Sequence, residues 1–324
     1  MVEPDLPALV LAPMEGITDA PMRALLGGLG AFTFAVSEFL RVSQESIPAK
    51  VFLRDIPELR MGGRTPTGLP VQIQILGGHP ERMALSAVTA CEAGAEAIDI
   101  NFGCPAPTVN RHDGGASLLN HPSRIRDIVA AVRAAVPAEI PVSAKLRLGW
   151  DCIDAVDENC AMAAEGGASW LTIHARTRTQ GYMPPVYWEP IGRVRRALGL
   201  PVVANGDIWT LDDFRRCRDE TGCIHFMLGR CALADPILPR RIAVELGIAE
   251  GGGEAEADWP ALLHGLAHYT ECYEGKVGKH TVQRFKQWLK IATKHGRFPY
   301  FDVLKHAETV DDFFASLRLA MRAA

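Results

Sequence analysis

The chain has 324 residues, 48 % hydrophobic and 22 % charged, with a formal net charge of -4. That length allows one large domain with a small appendage. An acidic balance excludes a generally basic nucleic-acid binder, unless positive charge is gathered in one place.

The start of the chain lacks the positive n-region of a signal peptide. No apolar run approaches the roughly 18 residues of a membrane span. A cytoplasmic protein with no membrane partner is therefore expected. The eight cysteines form no C-x-x-C pair. Zinc ribbons and iron–sulfur clusters usually need such pairs, so no metal site is expected and free thiols are the default.

Short runs rich in Val, Ile and Leu predict strands at 8–12, 33–37, 71–76, 97–101, 142–146, 170–174, 202–205 and 225–228. Several open directly after a proline (Pro70, Pro141, Pro201), where a helix is disfavoured. Helix-length segments such as 81–92 and 154–165 lie between them. Eight βα-like units with apolar strands imply a parallel sheet buried on both faces. A (β/α)₈ TIM barrel is the simplest architecture. A doubly wound open sheet has the same alternation, and periodicity does not separate the two. The stretch 247–258, with Gly251-Gly252-Gly253 and four acids, reads as a flexible linker. The expected organisation is thus a barrel over 1–246 and a small all-helical domain over 259–324.

Barrel active sites sit where strands end and βα-loops begin. Polar residues gather there: Pro13-Met14-Glu15-Gly16, Glu38, Gln74, Asn101, Lys145, His174, Asn205-Gly206-Asp207 and Gly229-Arg230. Any one of them alone reads as an ordinary surface residue; their coincidence at one end does not. Loops after strands seven and eight commonly hold a phosphate, and glycines with an arginine suit that task. Cys104 lies in Asn101-Phe102-Gly103-Cys104-Pro105, a loop context. The bland alternative is a buried small hydrophobe. A thiol with an unperturbed pKa of about 8.5 is protonated at neutral pH and suits a proton donor. The run Asp113-Gly114-Gly115-Ala116 is either a lid or the start of the next helix.

From 275 to 301 there is no acid, but there are seven basic residues: Lys276, Lys279, Arg284, Lys286, Lys290, Lys294 and Arg297. At helical spacing Phe285, Trp288, Leu289 and Ala292 share one face, and Lys279, Lys286, Lys290 and Lys294 share nearly the opposite one. A solvated helix face explains such a stripe, but in an acidic protein it favours contacts to phosphates.

These motifs together resemble the tRNA-dihydrouridine synthases over essentially the whole chain. The matching segments are Leu11-Ala12-Pro13-Met14-Glu15-Gly16, Val71-Gln72-Ile73-Gln74-Ile75-Leu76-Gly77, Asn101-Phe102-Gly103-Cys104-Pro105, Lys145-Leu146-Arg147-Leu148-Gly149, His174-Ala175-Arg176-Thr177, Val203-Ala204-Asn205-Gly206-Asp207-Ile208 and Gly229-Arg230. The resemblance implies FMN in the barrel mouth, reduced by NADPH. It places Pro13, Met14, Glu15, Gln74, Lys145 and His174 along the flavin, and Asn205, Gly206, Asp207, Gly229 and Arg230 at its phosphate end. It implies hydride transfer to C6 of a uracil and a proton from Cys104 to C5, with Asn101 beside the base. The likeness is strongest to the members that modify uridine 16 of the tRNA D-loop, through Glu38-Phe39-Leu40-Arg41-Val42, Thr179-Gln180-Gly181-Tyr182 and Lys286-Gln287-Trp288-Leu289. By that likeness Arg41, Arg176 and Tyr182 touch the RNA, joined by Lys279, Arg284, Lys286 and Lys290 of the tail. A departure is Phe102, where the family pattern has a small residue or Cys; it is expected to alter packing beneath the loop. No obligate protein partner is expected, and a monomer is. The rival functions are an FMN-dependent dihydropyrimidine or dihydroorotate-type oxidoreductase, which leaves the basic tail unexplained, and a tRNA-binding protein without turnover.

Overall fold

A computed structural model describes residues 1–251 and 256–323. The strands are β1 Ala8–Leu11, β2 Phe34–Val36, β3 Leu40–Arg41, β4 Val71–Leu76, β5 Ile98–Asn101, β6 Val142–Arg147, β7 Leu171–His174, β8 Val202–Asn205 and β9 His225–Leu228. All pairings are parallel, in the order β2-β1-β9-β8-β7-β6-β5-β4, and β2 pairs with β4 to close an eight-stranded barrel. Closure removes the open-sheet alternative. Each expected strand is present to within a residue or so at either end. The addition is β3, a two-residue strand beside the end of β4.

Period-two alternation assigns the two barrel faces. Leu9, Leu11, Ile73, Ile75, Ile98, Ile100, Ala144, Leu146, Leu171 and Ile173 belong to the large cluster shared with the surrounding helices. The intervening positions carry the interior: Val10, Phe34, Val36, Trp170, Val203 and Met227 form an apolar plug. Gln72, Gln74, Asp99 and Ser143 form a buried polar file beside it. The register sets Gln74 beside Asp99, Asn101 beside Lys145, Arg147 beside His174 and His174 beside Asn205. The predicted site residues are therefore delivered to one end by pleat alone.

The helices are α1 Ala20–Gly28, α2 Ala49–Asp55, α3 Pro80–Glu92, α4 Pro107–Asn110, α5 Pro122–Ala135, α6 Ala155–Glu165, α7 Glu189–Ala197, α8 Leu211–Thr221, α9 Arg230–Ala234 and α10 Leu238–Glu245, then α11 Trp259–Glu274, α12 Lys279–His295, α13 Phe301–Leu304 and α14 Val310–Ala323. Of the expected linker, residues 252–255 lie outside the described residues. The tail packs into the same apolar cluster as the barrel through Leu263, Leu266, Phe285 and Trp288. The Trp288 indole N–H donates to Leu233 O at 2.9 Å.

Arg284 corrects an expectation. Rather than facing RNA, it is buried, with its guanidinium on Asp19 at 2.6 Å, Glu274 at 2.8 Å and Thr270 at 3.2 Å. It ties α12 to α11 and to the N-cap of α1. Lys279, Lys290 and Lys294 stand exposed and Lys286 is half-buried. No helix among the described residues is long and apolar enough to cross a membrane.

Candidate active site

A cavity of about 600 Å³ opens at the C-terminal mouth of the barrel, within the range of small-molecule and cofactor sites. Pro13, Met14, Glu15, Gln74, Asn101, Cys104, Lys145, His174, Tyr182, Asn205, Gly206, Asp207, Gly229 and Arg230 line it together. Glu38, Phe39, Arg147, Trp209 and Ile291 line it too. Arg41 lies instead in a neighbouring depression with His79, Arg82, His112 and Arg124.

Lys145 and His174 both line the cavity. The Lys145 ammonium reaches Asn205 Oδ1 at 3.4 Å, and the Asn205 amide is oriented by its own N–H donating to Met227 O at 2.8 Å. Among the described residues no carboxylate pairs with Lys145, and burial lowers its pKa to about 8, helped by the nearby Arg147. Burial and the surrounding Arg147, Lys145, Arg176 and Arg230 push His174 well below the ordinary imidazole value, so it is neutral. This end of the cavity is positive, with the Asp99 carboxylate beneath it acting on Lys145.

At the other end Asp207, held at φ 46°, is clamped by Arg176 in a bidentate pair and by Arg230 at 3.2 Å. Burial raises its pKa, but the two arginines outweigh this and hold the carboxyl below its ordinary value. Here two expectations shift. The Asp207 carboxylate anchors guanidinium groups, and a carboxylate has no donor to offer a phosphate. Arg176 is fully buried and its Nε donates to Met183 O at 2.7 Å, so it braces the 176–183 loop rather than facing RNA. Gly206 sits at φ +127°, and a Cβ there would lie 3.0 Å from the His174 ring. Only glycine lets that backbone run so close under the cavity floor.

Cys104 rests against Leu76 and Val109, with Phe39 and Ala106 packed around them. That apolar seat raises its thiol pKa by desolvation and keeps the proton on sulfur. Its loop is fixed from three sides. Ala116 N–H donates to Cys104 O at 3.0 Å, and Gly115, at φ +61°, packs where a Cβ would be 2.9 Å from that oxygen. The run 113–116 is thus the lead-in to a short 3₁₀ helix, Gly115–Asn120. From β6, Arg147 donates to Gly103 O at 2.8 Å, to Thr177 O at 3.1 Å and to Gly181 O at 2.8 Å. It joins the Cys104 loop to the loop bearing Tyr182, whose ring lies 5.3 Å from its guanidinium. Phe102 is fully buried beneath this loop, as its bulk implies. From sequence alone Arg147 is one residue of a matching motif, without a role of its own. The only signal was its spacing, two residues after Lys145, which points both side chains inward.

The tail reaches the same cavity: Ile291 of α12 lines it, and His295 stacks on Trp209 with ring centroids 4.8 Å apart. A closed barrel with a positive mouth, arginines at one end and a protonated thiol at its lip is the architecture of a cofactor-dependent barrel enzyme. The dihydrouridine synthase family model matches residues 10–317. Curated relatives from several bacteria carry the name tRNA-dihydrouridine(16) synthase. That of Cupriavidus necator is 46 % identical over 284 residues, 87 % of this chain and 86 % of its own. That of Shewanella oneidensis is 43 % identical over 297 residues, 91 % of either chain. Among solved structures, histamine dehydrogenase from Rhizobium sp. 4-9 superposes with a TM-score of 0.56 at 14 % identity, over 74 % of this chain and 46 % of that one, a likeness of fold alone. The chain belongs to the dihydrouridine synthase family. It is an oxidoreductase of that family.

Proposed function

We propose that the protein reduces uridine 16 in the D-loop of tRNA to 5,6-dihydrouridine, with FMN as cofactor and NADPH as reductant, in the cytoplasm. The observation that carries this is the meeting of a protonated Cys104 and an unpaired Lys145 in one cavity, on a chain whose relatives are named for that reaction. The cavity suits FMN. Lys145 makes no contact ion pair among the described residues, only the Asp99 charge beneath acting on it, which leaves its ammonium for the electron-rich pyrimidine edge of a flavin. Arg230 with the Gly206 and Gly229 backbone suits its phosphate. Gln74, Met14 and His174 would border the ring system.

When bound and reduced by NADPH, FMN would supply the hydride for C6 of the uracil. The remaining work belongs to the chain. Asn101 holds the base edge, and its side chain also fixes the Gly103 amide, 2.8 Å from Oδ1. Cys104 holds a proton for C5 where negative charge builds as C6 is reduced. Arg147 keeps the thiol loop in register with Tyr182, which is 55 % exposed and stands at the cavity rim. The target base must leave its stack to reach the thiol, at a cost of a few kcal/mol that is smaller in a loop. Lys279, Lys290 and Lys294 give the RNA backbone a basic track.

Unmodified tRNA incubated with the protein, FMN and NADPH and mapped by position-resolved mass spectrometry should gain two hydrogens at position 16. Gain elsewhere discards the position. No gain from a flavin-loaded sample that oxidises NADPH discards the RNA substrate.

A further inference from the structure

Beneath the cavity runs a hydrogen-bonded file whose lower half has no role in the chemistry above. Its polarity can be followed from a fixed point. Gly103 N–H is a backbone donor and donates to Asn101 Oδ1 at 2.8 Å, so Asn101 must turn its Nδ2 toward Gln74, donating to Oε1 at 2.8 Å. Gln74 in turn must send Nε2 to Asp99 Oδ2, at 2.7 Å. From the other side Gln72 Nε2 donates to Ser143 Oγ at 2.9 Å, and Ser143 donates to Asp99 Oδ1 at 2.5 Å. Both branches thus run donor to acceptor and end on one carboxylate, which receives at both oxygens. Reversing Asn101 would set its NH₂ against the Gly103 N–H, and reversing Gln74 alone would set its NH₂ against that of Asn101. An ionised Asp99 accepts from both branches at once, and the Ser143 hydroxyl is the one member whose donor role can turn.

We propose that Asp99 is a positioning residue for the reduction: by accepting from β4 and β6 at once it fixes the amide orientation of Gln74 and Asn101, and through Asn101 the Gly103 backbone that carries Cys104. This rests on the proposed uridine reduction. Asp99 is itself buried and lines no part of the cavity, so it acts only through its partners. The groups facing it are Gln74 of β4, and Ser143 and the cation Lys145 of β6. Burial raises its pKa, and the two hydrogen bonds with the Lys145 charge oppose that rise.

Asp99→Asn keeps the shape but has one acceptor oxygen in place of two: its NH₂ either opposes the Gln74 amide donor to donor or turns the Ser143 proton away from the carboxylate it now serves, so the two-sided anchor is lost. In cofactor-loaded protein, kcat for tRNA should fall about 10- to 100-fold, the range of an ångström-scale misplacement, with KM for tRNA little changed. In cofactor-free protein, peptide-resolved alkylation of Cys104 by iodoacetamide should quicken as the loop loosens. Ser143→Ala gives a readout that packing alone does not move. It removes one donor to the carboxylate, so Asp99 protonates at a higher pH and the acid limb of kcat shifts upward. Active wild-type enzyme with an Asp99→Asn variant of equal kcat overturns the proposal, as does an acid limb unmoved by Ser143→Ala. If Asp99→Asn does not fold, the Ser143→Ala limb alone decides. Wild-type protein that makes no dihydrouridine overturns the proposed function and this inference together.

Discussion

Replacing Arg147 with Met keeps most of the aliphatic stem and deletes the guanidinium that bridges the two active-site loops. Three carbonyls lose a donor: Gly103 O and Thr177 O in buried surroundings, Gly181 O partly buried. Hydrogen bonds from a charged donor contribute about 1.5–3 kcal/mol each. The Gly181 oxygen can turn to water, so two bonds count, roughly 3–6 kcal/mol. Burial already disfavours this cation, lowering its pKa, and relief of that penalty offsets part of the loss. A net destabilisation of about 2–3 kcal/mol remains, or roughly 4–6 °C in Tm at about 2 °C per kcal/mol for a large domain. The kinetic effect should be larger in proportion, because the Gly103–Cys104 loop is one of the two parts released. A fall in kcat near 10²-fold is expected, with bound flavin retained. Thermal melts of the flavin-loaded protein and single-turnover dihydrouridine formation measure both. A variant melting within about 1 °C of wild type and turning over at the wild-type rate would refute the bridging role.

Cys104→Ala should retain flavin and lose about 10² to 10⁴ in the rate of dihydrouridine formation, and near-normal turnover would remove the thiol from the reaction. Because burial raises that thiol, the protonated form should persist above the ordinary thiol value of about 8.5, with kcat declining only on the alkaline side of it. Changing Lys279, Lys290 and Lys294 to Ala should raise KM for tRNA and leave kcat alone. The dependence of log(kcat/KM) on log[salt] should flatten by about 0.7–0.9 for each phosphate left without its lysine; an unchanged slope would return the stripe to plain solvation. Lys145 has its folded pKa lowered from 10.5 to about 8, so between those values the unfolded chain binds more protons. The Lys145 contribution to apoprotein stability should therefore rise with pH across that window, by up to about 3 kcal/mol, against a fall from buried thiols such as Cys91 and Cys223, whose pKa burial raises to about 11. The thiols are common to both proteins, so the stability of wild type relative to Lys145→Met should increase between pH 8 and pH 10.5 in urea titrations, and a difference that stays constant would refute the lowered lysine.

The strands were legible because a parallel barrel buries both faces of every strand, leaving near-continuous apolar runs bounded by turns. The site was legible for the same reason in reverse: Gln74, Asn101, Lys145 and His174 are polar residues at strand ends that have no cause to be polar otherwise. Closure was not, since the pairing of β2 with β4 is a long-range event with no local mark. Nor were the roles of the arginines. Arg284 sits in a basic run and reads as one more surface cation, yet its partner Asp19 is 265 residues away. Arg176 likewise looks like an RNA contact until its carbonyl and carboxylate partners are seen, and Arg147 has no role until its three carbonyls are. An arginine's type states that it will find acceptors; only the fold states which.

Those arginines bear on how a uridine is chosen. On the proposed function, the lysines from 279 to 294 form a track about 22 Å long at 1.5 Å per residue, on a helix that also supplies Ile291 to the cavity. Phosphate contacts position an RNA without reading its bases. The helix cannot slide, because Trp288 is bonded to Leu233 O and Arg284 to Asp19, and His295 is stacked on Trp209 at the cavity wall. The offset between backbone track and thiol is therefore a constant of the fold. The position reduced then follows from which nucleotide that offset brings over Cys104. Loosening the anchor, by changing Arg284 rather than any lysine, is the substitution that ought to blur position before it abolishes turnover.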